Sequence, residues 1–181
     1  MDLLPARVGA PLSIANLRQD LEVDHKTVER WLGILENLYV CFRVAPLGAP
    51  RIRAVKKERK LYLWDWSAVA EPGPRFENLV ACQLLKYCHH VEDTLGHAME
   101  LRFLRDTDKS ARSTSSCCVT ASRSSPSSKS GAQEVAPAVR YFAERVGIPQ
   151  IHQVHRGTRH FQTGRIHVVP YARFCDDLLM P

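Results

Sequence analysis

Apolar residues recur along the chain with two different periods, and the switches between them mark out the elements. Ile14, Leu17 and Leu21 fall at i, i+3 and i+7, which predicts a helix over 14–21 with Ser13 as its N-cap. Val23 and Asp24 form a turn, and Asp24 is the N-cap candidate for a second helix. In that helix Val28, Trp31, Leu32, Leu35 and Leu38 make a broad core-facing stripe. Strands are predicted over Tyr39–Val44 and Leu61–Asp65, with turn residues at Pro46, Gly48 and Pro50. Glu71-Pro-Gly-Pro74 is a breaker and the expected domain boundary. A long helix over 75–91 follows, with Phe76, Leu79, Val80, Leu84, Tyr87 and Cys88 at helical spacing. A strand over 98–105 and a helix over 136–146, burying Val139, Phe142 and Val146, come next. The pattern closes with strands over 150–155 and 165–170 and a helix over 171–179.

Two short helices, a tight turn and a hairpin are the winged helix-turn-helix order, which assigns that fold to residues 1–70. The second helix would be the recognition helix, presenting His25, Lys26, Thr27 and Arg30. The net charge is +6, and Arg51–Lys60 alone holds six basic residues and one acid, a net of +5. Arg51, Arg53, Lys56 and Lys57 are therefore expected to join the nucleic-acid contacts, with double-stranded DNA as the partner. A helix pair kept for packing, or for docking on protein, fits the same pattern.

Residues 75–181 read as helix, strand, hairpin, helix, strand, strand, the order of a restriction-endonuclease-like core. The expected fold class is thus α+β, a winged helix-turn-helix followed by a degraded endonuclease-like core. Its interruption is the stretch 110–128. Ten of the twenty-one residues in Ser110–Ser130 are Ser, and Cys117 and Cys118 stand side by side among them. A flexible linker would read this way. Back-translated and read two nucleotides later, however, Ser110–Ser128 becomes R-E-V-D-F-V-V-L-R-D-R-K-P-L-F-A-V-E, two alternating apolar strands around a polar turn. That reading restores an Asp and a Glu-x-Lys ending on Lys129, the carboxylates that would hold Mg²⁺ against a scissile phosphate. Compensating frameshifts, in the gene or in the reported sequence, would leave this pattern. As written, Glu77 and Lys129 are the remnant candidates of a catalytic site, no cofactor is expected, and the sheet should lack two strands.

Composition narrows the field little. Hydrophobic content of 45% and charge of 24% are ordinary for a globular protein. No apolar run approaches the length needed to cross a bilayer, and the N-terminus lacks the basic and apolar regions of an export signal. The six Cys form no C-x-x-C pair, so a reduced, cytoplasmic setting is expected. Cys82-x5-Cys88-His89-His90 has no standard zinc spacing, and buried thiols on a helix explain it better. His152 and His155 fall on opposite faces of a strand, against a shared metal.

Several stretches carry a family likeness. Leu4-Pro-Ala-Arg-Val-Gly-Ala-Pro-Leu-Ser-Ile, His25-Lys-Thr-Val-Glu-Arg-Trp-Leu-Gly-Ile-Leu-Glu-Asn-Leu-Tyr, Lys60-Leu-Tyr-Leu-Trp-Asp, Phe76-Glu-Asn and Lys129-Ser-Gly resemble the C-terminal region of a bacterial and archaeal AAA-type ATPase family. The resemblance implies a winged-helix segment joined to an endonuclease-like domain of unknown function. It also implies a P-loop domain, which this chain does not carry, since no G-x-x-x-x-G-K-[ST] occurs. The expectation is a non-catalytic C-terminal fragment, binding no ATP or Mg²⁺ itself, with an ATPase domain in trans as a further partner. A small winged-helix transcription regulator and a pure protein-interaction module are the alternatives.

Overall fold

The computed structural model describes residues 3–47, 58–104, 117–120, 124–129, 134–145 and 147–178. Among these the chain is mixed α+β, with five α-helices and two four-stranded sheets. Helices α1 (Ile14–Leu21) and α2 (His25–Asn37) begin where their caps predict. Ser13 Oγ accepts from the Asn16 amide at 3.3 Å, and Asp24 Oδ1 accepts from the Thr27 amide at 3.0 Å. The link from α2 to the next strand is longer than the pattern suggested. Leu38 closes the helix, Tyr39 turns left-handed at φ 55°, and the Val40 amide still bonds back to Leu35 O at 2.9 Å. The strand β1 therefore starts at Cys41 and runs to Pro46.

Strand β2 (Lys60–Leu63) pairs antiparallel with β1, Cys41 opposite Leu63 and Val44 opposite Lys60. The N-terminal segment adds to the outer edge of β2 through bridges Val8–Leu61 and Pro11–Lys60. A 3-10 turn at Trp66–Ala68 leads into α3 (Pro72–Leu95), which begins earlier than residue 75. Pro72 and Pro74 sit in its first turn, where no backbone N–H is needed, so the breaker is a helix start. Gly96, left-handed at φ 68°, ends the helix.

Beyond α3, β3 (Glu100–Phe103) pairs in parallel with β1 at Ala45–Arg102 and Pro46–Phe103. The hairpin and the second half thus share one sheet, ordered β2-β1-β3-β4, with β4 (Cys117–Thr120) antiparallel to β3. The second sheet is β5-β6-β8-β7, made of β5 (Ser124–Lys129), β6 (Gln150–His155), β7 (Phe161–Thr163) and β8 (Ile166–Pro170). Strands β5, β6 and β8 run parallel, with α4 (Pro137–Arg145) crossing between the first two. Helix α5 (Tyr171–Asp177) closes the chain.

The expectation of two missing strands is corrected: the Ser-rich stretch supplies β4 and β5. Each lies at the edge of its sheet, where strand edges of β3 and β6 offer unpaired backbone groups to any chain that can accept them. Residues 110–116 and 121–123 of that stretch, and Val146, lie outside the described residues.

One core runs from Leu4 and Leu17 through Leu61, Phe76 and Leu84 to Val154 and Phe174, across the 71–74 segment. The core-facing stripe of α2 is narrower than expected. Val28 and Leu32 are buried, while Trp31 and Leu38 are 46% and 66% exposed. At 3.6 residues per turn these two stand roughly 60–80° away from the Val28–Leu32–Leu35 direction, past the reach of the core.

Candidate functional site

The most connected polar cluster among the described residues lies where β2 meets α3. Lys60 and Tyr62 are two apart in β2 and so point to one side of the sheet. Both reach Glu77 in the second turn of α3. Tyr62 Oη donates to Glu77 Oε1 at 2.8 Å, and Lys60 Nζ donates to the same oxygen at 3.3 Å. Lys60 is 1% exposed and Glu77 8%, so an ion pair is held inside the core. The ammonium also faces the Phe103 ring, 5.4 Å from its centroid. Gly9 roofs the carboxylate: with φ at +76°, a Cβ there would stand 3.0 Å from Glu77 Oε2. Its amide is tied down by Leu61 O at 3.0 Å.

The next residue of α3 completes a clasp. Asn78, fully buried, accepts from the Leu63 amide at 2.8 Å and donates to Leu63 O at 2.6 Å, as a neighbouring strand would. Cys82, one turn on, also donates to Leu63 O at 3.2 Å. Three stretches that the sequence shows far apart, around Gly9, Lys60–Leu63 and Phe76–Asn78, therefore interlock. Neither Lys60, Tyr62 nor Asn78 was singled out from the sequence. The available signal was a Lys and a Tyr at alternate positions of a strand otherwise apolar.

This geometry bears on two expectations. Glu77, the remnant catalytic candidate, has its Oε1 already serving an ammonium and a phenol. Lys60 leaves the basic patch, since its charge is buried and paired. Lys129 sits on β5 with His155 as its register partner, and its side chain lies outside the described residues. No group of three His, Cys, Asp or Glu placed to hold a metal occurs among the described residues. Burial pushes the thiols of Cys82 and Cys88 up to about 11, which makes them poor ligands at neutral pH.

Helix α2 divides into distinct sides. Opposite its core side lie Lys26, Arg30, Gly33 and Asn37, and His25, Lys26 and Arg30 are exposed. Thr27 bonds Asp24 through both its amide and its hydroxyl, the hydroxyl at 2.5 Å, so it is part of the cap. Those bonds hold the Asp24 carboxyl below its usual range. On one flank Glu36 takes a two-point bond from Arg43 of β1, both contacts at 2.8 Å, with Glu29 at 3.8 Å. Glu36 is thus turned toward β1, while Glu29 stays exposed on the same flank, one turn from Lys26. On the other flank Trp31, Ile34 and Leu38 are exposed beside an apolar groove of about 180 Å³ between α1 and α2. Arg51, Arg53, Lys56 and Lys57 lie outside the described residues.

In the second sheet the two faces of β6 carry different polar groups. Gln153 is fully buried, donating to Glu134 O and accepting from the Ala136 amide, both at 2.8 Å, which fixes the entry to α4. His155 bonds the loop after it, with Nε2 at 2.7 Å from Arg159 O and Nδ1 accepting from the Gly157 amide at 3.0 Å. On the opposite face His152 stacks on His167 and packs against Phe174. The two β6 histidines do not meet, as the strand period predicts.

No helix among the described residues is long and apolar enough to cross a membrane. Neither the curated proteins nor the solved structures compared with the chain gave a match. Residues 1–71 match the model of a domain of unknown function, DUF8612, a stretch that contains Gly9, Lys60 and Tyr62 and stops short of their partners on α3.

Proposed function

We propose that the chain is a non-catalytic docking module that seats on duplex DNA through the helix pair and hairpin of its first half. The observation that carries this reading is the outer face of α2. Lys26 and Arg30 point away from the core, and the one acid of α2 held tightly elsewhere is Glu36, drawn to Arg43 at 2.8 Å. The order α1, turn, α2, β1, β2, with the N-terminal segment bridged onto β2, is that of a winged helix. In such a module the second helix enters the major groove and the hairpin loop, here the basic run, lies along the phosphates. The second half, with its order α3-β3-β4-β5-α4-β6, reads as an endonuclease-like scaffold whose acids are absent or, for Glu77, committed to packing. The whole is best understood as the C-terminal part of an AAA-type ATPase lineage.

The test is fluorescence anisotropy of the full chain on labelled duplex across a salt series. Joint replacement Lys26→Ala and Arg30→Ala should weaken binding and lower the magnitude of the log–log salt slope by roughly 2. Unchanged affinity and slope would refute the reading, and Mg²⁺-dependent nicking of plasmid would refute its non-catalytic part. A second reading is favoured by the exposed Trp31, Ile34 and Leu38: docking on a protein, such as an ATPase domain in trans. It predicts partner capture that is insensitive to salt and lost in Ile34→Asp.

A further inference from the structure

His152 is the least satisfied polar group described. It is 7% exposed, its Nδ1 has no hydrogen-bond partner, and its ring lies flat on that of His167, 5.2 Å between centroids at 20°. Phe174 of α5 covers the other side, 5.5 Å away. His167 Nε2 is in turn 3.1 Å from Gln150 Nε2, so in the neutral pair that nitrogen accepts and His167 carries its proton on Nδ1. A stack of two neutral imidazoles packs well. A cation on His152 in the same place does not, because a charge in an apolar setting is costly and its unpartnered N–H⁺ has nowhere to donate.

We propose that this stack is an acid-operated latch: protonation of His152 releases α5 from β6 and β8 while the first half of the chain stays folded. The surrounding charges are few. Burial disfavours a charge on His152 most, His167 from β8 adds to it, and Asp177 from α5 opposes them; the result depresses His152 to about 4. Elsewhere on α5, Tyr171 and Cys175 bond one another. The side chains of β5 next to His152 are outside the described residues. The sign follows directly. Because the released state binds protons more readily than the latched state, lowering the pH through 6.5 toward 4 drives release.

The experiment is hydrogen exchange on the full chain, with protection factors corrected for intrinsic rate, at pH 7.5 and 4.5. Amides 172–178 should lose roughly tenfold to a hundredfold protection at pH 4.5, while those of α1 and α2 change far less. In His152→Phe, which keeps a flat ring in the slot, the loss should vanish. His167→Gln, retained as an independent variant, removes the opposing charge and should shrink the loss. Uniform loss across the chain, or a loss that survives both substitutions unchanged, would overturn the proposal.

Discussion

Replacing Glu77 by Ala probes the clasp most directly. The change removes one carboxylate and leaves the Lys60 ammonium, 1% exposed, in the core without its counter-charge. Breaking one side of a buried pair costs about 3–5 kcal/mol, far more than the pair contributes over an apolar substitute. Tyr62 loses the same acceptor, a further cost of about 1 kcal/mol that overlaps the first because both donors share Oε1. The expected loss is thus about 4 kcal/mol, a large share of the total for a domain of this size. Urea unfolding followed by tryptophan fluorescence reads it, since Trp64 adjoins the clasp at the end of β2. Glu77→Gln should fall between, keeping an acceptor for Tyr62 without neutralising the ammonium. The double change Lys60→Met with Glu77→Leu should recover most of the stability, since no charge remains to strand. If Glu77→Ala unfolds within about 1 kcal/mol of the parent, or the double change is no better than the single, the clasp is not what holds β2 to α3. A metal-site remnant would behave oppositely, since carboxylates kept for binding commonly cost stability.

Asn78→Ala should destabilise by about 2–3 kcal/mol in the same assay, because the buried Leu63 amide loses its acceptor and the Leu63 carbonyl keeps only the weak Cys82 thiol. Gly9→Ala should cost about 1–2 kcal/mol, combining a left-handed backbone with a Cβ 3.0 Å from Glu77 Oε2, and Glu77→Gln should not relieve it. The His152 contribution to stability is full above pH 6.5 and is lost as pH falls toward 4. It amounts to at most about 3 kcal/mol, measurable as a drop in urea midpoint that His152→Phe abolishes.

Much of the architecture was legible because its signals are local. Ser13 and Asp24 cap helices through bonds spanning three residues, and the switch from period 3.6 to period 2 marks β1 and β2 to within a few positions. The site was legible only in outline. Lys26 and Arg30 could be placed on an outer face by counting turns. Thr27 could not be told from its neighbours, since a threonine three residues after an aspartate serves a cap as readily as a groove. The partners of Glu77 were hidden for a deeper reason. A carboxylate near a helix start has the same sequence signature whether it awaits a metal or answers a lysine, and its lysine is seventeen positions away. The Ser-rich stretch shows the converse: side-chain pattern argued against strands, and sheet edges left open by β3 and β6 took up the backbone regardless.

Asn78 occupies the place of a missing neighbour for the Leu63 peptide, and it does so from beyond the stretch that the DUF8612 model covers. A chain that carried the first 71 residues alone would expose that peptide and strand the Lys60 charge in apolar surroundings. The recognisable module is therefore a lock without its key. Wherever it recurs, whatever follows it in sequence must bring a side-chain amide and an acid to the same two spots, and grafting it onto an unrelated downstream helix should fail unless both travel with it.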